Sequence, residues 1–296
     1  MTAKTIEKKA RYEVDGRCMA CQFKSFERLM DKFNVDYNIR QEFFGFYNLT
    51  MSRHYDLTMP EIHSRLNDEF CRLTGNTDLY AEEKQKSNKI ALQLYSELKP
   101  EVLHSADPFG MALKLSIAGN IMDYGASGDF DIHKTIEKVL NTPFAIDHSI
   151  LLKEKINQAE KILFLGDNAG EIVFDKMLIE LMLHPNVVFA VRGSAVLNDA
   201  TLEDARQTGL DEIADVIDNG SNAPSTILSE CSDEFLKIYN EADLIISKGQ
   251  GNFEGLMYEN EPRVFFLLMV KCDVVAEAIG TEKGNFVVYN LSGETH

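Results

Sequence analysis

Apolar residues recur at three- and four-residue spacings through the first half of the chain, in CQFKSFERLMDKF, EIHSRLNDEFCRL and KSNKIALQLYSEL. That period lays one apolar stripe along a helix, so the pattern predicts mainly helix from about residue 17 to about residue 140. A further apolar helix, PFGMALKLSIAGNIMDYG, ends at Gly125, and the polar stretch GASGDFD reads as the loop beyond it. From about residue 155 the pattern changes to short apolar runs alternating with helical stretches. KILFLG, NVVFAV, DLIISK, RVFFLLM and NFVVYN each read as a buried strand, with ADVID as a sixth candidate. Between them lie the helical stretches EIVFDKMLIELML, TLEDARQTG and STILSECSDEFLKIYNEA. Alternating strand and helix implies an α/β fold with a mainly parallel, doubly wound sheet flanked by helices. The expected division is a helical subdomain over 1–150 and an α/β domain over 151–296.

Composition narrows the partners. A chain of 296 residues with 45% hydrophobic side chains can bury a sizeable core. Its formal charge of -17 repels phosphate backbones and anionic lipid heads, and no Lys/Arg cluster offsets this. Nucleic-acid and membrane partners are therefore not expected. The opening MTAKTIEKKARYEVDG lacks a signal-like apolar run, and no later stretch reaches membrane-span length, so the expected location is the cytoplasm. Five cysteines do not form a secreted disulfide framework. Cys18 and Cys21 form a lone Cys-x-x-Cys, which is half a zinc site, a redox pair or packing at a helix start. Histidines such as His54, His63, His133 and His184 show no H-x-x-x-H or H-x-E spacing and read as surface or core residues.

In open parallel sheets, ligands sit beyond the carboxyl ends of the strands, so the residues leaving each apolar run carry the information. After KILFLG come Asp167, Asn168, Ala169, Gly170 and Glu171; after NVVFAV come Arg192 and Gly193, then Asn198 and Asp199. After DLIIS come Lys248, Gly249, Gln250, Gly251 and Asn252, and after RVFFLLMV comes Lys271. Asp, Asn and Gly also make turns and caps at such exits; their shared edge is what favours a site. Carboxylates and an amide carbonyl are hard donors suited to Mg²⁺ or Mn²⁺, where zinc prefers His or Cys. A metal with lysines beside it fits phosphoryl transfer, and glycines at a helix start let backbone N–H groups approach an anion. Gly249, Gly251 and Gly255 miss the dinucleotide spacing by one residue.

The stretches GDNAGEIVFDKMLIE, VRGSAVLNDATLEDA and ISKGQGNFEGL resemble the damage-control phosphatase family, formerly a domain of unknown function and related to the ARMT1-like proteins. Cys18-Met19-Ala20-Cys21, TGNTDLYAEEKQKSNKIAL and SIAGNIMDYG look like its archaeal and bacterial subfamily. The resemblance implies hydrolysis of small phosphorylated, possibly damaged, metabolites such as sugar phosphates, with Mn, Mg, Co or Ni as the divalent ion. It makes Asp167, Asn168 and Asp199 the metal ligands and sets Lys248 to Asn252 near the phosphate. Asn198, Arg192, Asn120 and Asp123 join them around the substrate, and Asp167 and Lys271 serve catalysis. Where eukaryotic relatives carry Arg-Thr-x-Lys, this chain has Leu268-Met269-Val270-Lys271, which keeps only the lysine. Asp167 as a covalent nucleophile is the alternative to water; the one Asp-x-Asp, Asp129-Phe130-Asp131, sits in a polar loop. Two other functions compete: an S-adenosylmethionine-dependent carboxyl methyltransferase, for which GDNAGE is a poor glycine loop, and a non-catalytic module that binds a phosphometabolite.

Overall fold

The computed structural model describes residues 14–52, 57–119 and 132–293. Three helices come first: α1 (Gly16–Lys32), α2 (Tyr37–Ser52) and α3 (Met59–Thr74). Two of these starts have a local cause. The Asp15 carboxylate accepts from Arg17 N–H at the head of α1, and Thr58 with Glu61 forms a reciprocal capping box on α3, whose first turn carries Pro60. These helices close around their own aromatic core, in which Phe26 contacts Phe43 and Phe70 at centroid distances of 4.8 and 5.8 Å.

Next come α4 (Ala81–His104), α5 (Pro108–Ala118) and α6 (Ile132–Asn141). Their apolar faces share one core with a face of the sheet. The α/β part runs β1 (Ile146–Asp147), α7 (Ser149–Gln158), β2 (Ile162–Leu165), α8 (Glu171–Met182), β3 (Val187–Val191), α9 (Leu202–Thr208) and β4 (Asp215–Asp218). It continues with α10 (Asp233–Glu241), β5 (Leu244–Lys248), α11 (Gly249–Leu256), β6 (Val264–Met269), α12 (Asp273–Ile279) and β7 (Phe286–Asn290). The strands form one sheet of order β1-β7-β6-β5-β2-β3-β4, parallel except that β7 runs antiparallel to β6.

Strands buried on both faces read as continuous apolar runs. Their period of two still decides which layer each residue joins. Ile162, Phe164, Leu244 and Ile246 pack into the layer of α4, α5 and α8, whereas Leu163, Leu165 and Ile245 pack against α10, α11 and α12. Helices on both faces confirm the doubly wound α/β reading. Two differences stand out. The two-residue β1 was not legible as a strand, and STILSECSDEFLKIYNEA becomes helical only at Asp233, where the Ser232 hydroxyl caps Phe235 N–H after a short 3₁₀ turn.

The strand order reverses beside β2: β3 and β4 extend one way, β5 and β6 the other. This switch point opens a crevice beyond the carboxyl ends of β2 and β5, the place where such folds bind ligands.

Candidate functional site at the switch point

Two loops are zipped together at this crevice. The loop leaving β2 and the one following β3 bond backbone to backbone, Ala200 N–H to Asp167 O at 2.8 Å and Ala169 N–H to Asn198 O at 2.9 Å, with a bridge between Asn168 and Asp199. The zip draws Asp167, Asn168 and Asp199 together although they lie on different loops. Gly170, at φ 75°, makes the turn into α8; its N–H donates to Asn88 Oδ1 of α4 at 2.7 Å. Asn88 also donates to Asp204 of α9 at 2.9 Å, so one buried amide ties both loops to the helical layer.

The three oxygen-donor side chains are buried, at 6%, 5% and 3% exposure in that order. Asn168 Nδ2 donates to Asp167 Oδ2 at 3.1 Å and to Glu171 Oε2 at 3.3 Å; its carbonyl oxygen is the end with the chemistry of a cation ligand. Arg192 Nε donates to Asp199 Oδ2 at 2.6 Å, and Arg192 Nη2 lies 3.9 Å from Asp167 Oδ1. Burial pushes the Asp199 carboxyl up to about 7; Arg192 opposes this and the neighbouring Asp167 adds to it. Crowded carboxylates of this kind fit a divalent cation, whose charge would offset both. Among the described residues no group of three His, Cys, Asp or Glu side chains could hold a metal ion. The candidate set is therefore two carboxylates plus an amide.

Gly249 shows how tightly this corner is built. It starts α11 at φ 77°, and a Cβ there would lie 1.9 Å from Asp167 Oδ2, so only glycine lets the carboxylate sit against the helix start.

Asp167, Asn168, Asn198, Asp199, Gly251 and Lys271 line one cavity of about 220 Å³. Other predicted residues lie elsewhere. Lys248, expected at the phosphate, is fully buried; its Nζ donates to Glu171 Oε1 and Asp175 Oδ1, both at 2.6 Å, and to Ser116 O at 2.9 Å. Strand parity is the physical reason: Lys248 shares a face with Leu244 and Ile246, which points it into the α5 and α8 layer. Arg192 and Asn252 are buried and are not among the residues lining the cavity. Asn252 donates to the carbonyls of Gly166 and Lys248 at 2.9 and 2.8 Å and accepts from Arg192 Nη1 at 3.1 Å. Asn120 and Asp123 lie outside the described residues, as does Asp129-Phe130-Asp131. Cys18 and Cys21 fall in the first turns of α1, with Cys18 half-buried beside an apolar groove and Cys21 exposed.

The cavity also contains residues that the sequence reading passed over. Glu254 lies one turn beyond Gln250 on α11, and Gln250 Nε2 donates to its Oε1 at 2.8 Å while Gln250 Oε1 accepts from Lys271 N–H at 2.8 Å. Burial raises the Glu254 carboxyl above the usual carboxylate range, with Gln250 and Lys271 opposing. The four-residue spacing in Gln250-Gly251-Asn252-Phe253-Glu254 was the available signal. Gln22, Met59, Pro60 and His63 reach the cavity from α1 and α3, and no local spacing betrays that.

The model of the damage-control phosphatase ARMT1-like domain matches residues 14–287. The chain belongs to this family. It is 34% identical over 281 residues to a damage-control phosphatase, PH1575, of Pyrococcus horikoshii, covering 93% of this chain and 97% of the relative. A damage-control phosphatase of Archaeoglobus fulgidus is 37% identical over 76% of this chain and 80% of its own length. The uncharacterised protein MJ0202 of Methanocaldococcus jannaschii is 43% identical over 73% of this chain and 75% of its own length. The crystal structure of the P. horikoshii protein, a DUF89 family member, superposes with a TM-score of 0.87 at 33% identity, covering 95% of this chain and 99% of that one.

Proposed function

We propose that this member of the damage-control phosphatase family hydrolyses small phosphorylated metabolites, sugar phosphates among them, with a divalent cation held by Asp167, Asn168 and Asp199. One observation carries the reading: the zipped loops set three hard oxygen donors and a buried arginine at the switch point, in a cavity that Lys271 lines. Two relatives that align over most of their length bear the name damage-control phosphatase.

Mg²⁺, Mn²⁺, Co²⁺ or Ni²⁺ would supply Lewis-acid polarisation of the phosphoryl oxygens. The chain's own groups do the rest. Arg192 holds the Asp199 carboxylate in one orientation, and Glu171 and Asp167 fix the Asn168 amide. Lys271 offsets charge that builds on the phosphoryl oxygens. Glu254, which lines the cavity and whose carboxyl burial raises above the usual range, hands a proton to the departing oxygen. The methyltransferase alternative gains nothing from the β2 exit, where Asp167 and Asn168 side chains occupy the turn. The five unpaired cysteines accord with a reducing compartment such as the cytoplasm.

The test is hydrolysis of an aryl phosphate and a panel of sugar phosphates by chelated protein, with single metals restored. Phosphate release that returns with a metal and disappears in Asp199→Asn supports the reading. Full turnover in the chelated protein removes the metal from it, and ligand recovered intact under every metal turns the site into a binding module.

A further inference from the structure

His63 is 3% exposed, inside the α1–α3 core, yet it lines the same cavity as Asp167 and Lys271. Its ring stacks on Phe26 at 5.3 Å, and its Nδ1 lies 2.7 Å from Gln22 Oε1, itself in a residue of the cavity lining. An amide oxygen only accepts, so this contact puts the ring proton on Nδ1 and leaves Nε2 as an acceptor. Nε2 is buried and has no hydrogen-bond partner among the described residues. A buried acceptor left unpaired is costly in a folded protein, and such groups ordinarily find a donor. No described residue supplies one, and His63 is among the residues that line the cavity holding Asp167 and Lys271.

We propose that His63 Nε2 is a recognition point for the leaving group, accepting a hydrogen bond from a hydroxyl of a polyol phosphate whose phosphoryl end lies at Asp167, Asn168 and Asp199. This rests on the phosphatase reading and deepens it. Burial holds the His63 pKa at about 4, so the imidazole is neutral near pH 7 and keeps its acceptor lone pair. The catalytic loops belong to the α/β part, whereas the recognition group comes from α3; in this arrangement helix α3 selects and the sheet edge reacts.

The experiment compares kcat/KM for a sugar phosphate and for p-nitrophenyl phosphate, which has no hydroxyl on its leaving group, in the wild type, His63→Phe and His63→Gln. Phenylalanine keeps the stack on Phe26 and removes the acceptor; glutamine keeps an acceptor oxygen. The expected result is a fall of about 10- to 100-fold in the sugar-to-aryl ratio for His63→Phe, carried mainly by KM, and partial recovery in His63→Gln. An unchanged ratio in a folded, active His63→Phe overturns the proposal and leaves His63 a core residue. A wild type that hydrolyses neither compound with any metal overturns the phosphatase reading, and the proposal falls with it.

Discussion

Two buried charge clusters sit side by side in this protein, and they solve opposite problems. In one, Lys248 fills a closed chamber with Glu171, Asp175 and Ser116 O, every strong contact directed inward. In the other, Asp167, Asn168, Asp199 and Arg192 crowd together with one side open to a cavity of about 220 Å³. The bond from Asn168 Nδ2 to Glu171 Oε2 joins them. In the closed cluster, burial would lower the Lys248 pKa, but Asp175 and Glu171 outweigh it and hold the ammonium charged. Two carboxylates on one ammonium leave an excess, and burial pushes Glu171 up to about 8. The open cluster has Arg192 beside its carboxylates and borders the cavity that Lys271 lines. The lesson is that strand parity turns Lys248 into the core, whereas the zipped loops hold Asp167, Asn168 and Asp199 beside the cavity.

Substitutions can break this contrast, and the largest effect belongs to the open cluster. Asp167→Asn should lower kcat by at least about a thousandfold while circular dichroism and the urea midpoint stay close to wild type. A loss of fold instead would make Asp167 structural. In the closed cluster the consequences exchange places. Lys248→Met leaves two buried carboxylates without their cation and should cost about 3–5 kcal/mol of stability, read from urea denaturation.

Next comes pH. The His63 pKa is depressed from 6.5 to about 4 by burial, so the folded state binds fewer protons than the unfolded one between those values. Its stability contribution is complete above pH 6.5 and drains away as pH falls toward about 4. The loss is roughly 3 kcal/mol at most, and denaturation of His63→Phe at pH 7 and pH 4.5 should lack that slope. The smallest expected effect is at the corner between the clusters. Gly249→Ala displaces the Asp167 carboxylate and strains a φ of 77°, and should reduce kcat/KM by about 10- to 100-fold for a stability change near 1 kcal/mol.

Much of this was legible before any coordinates. Strands buried on both faces announce themselves as apolar runs, which is why KILFLG, NVVFAV, DLIISK, RVFFLLM and NFVVYN reappear as β2, β3, β5, β6 and β7, while ADVID becomes β4, an edge strand that is only partly buried. The two residues of β1 carry no such run; pairing with β7 makes them a strand. The strand exits likewise named Asp167, Asn168, Asp199 and Lys271. Lys248 was misread because an exit position says where a residue sits but not which way it points. The signal for the correction was Glu171 and Asp175, four apart on the mostly apolar EIVFDKMLIELML, which puts two carboxylates on one helix face. His63 and Gln22 were beyond reach, since only the packing of α1 and α3 over the sheet edge brings them to the cavity.

The account turns on the open cluster being a cation site and the closed one not. Calorimetric titration of Mn²⁺ into chelated protein measures this directly, with Asp199→Asn and Glu171→Gln as the paired variants. The predicted result is one ion per chain in the wild type, no binding in Asp199→Asn and the same single ion, weakened by no more than about 10- to 100-fold, in Glu171→Gln. An ion retained undiminished in Asp199→Asn would contradict it.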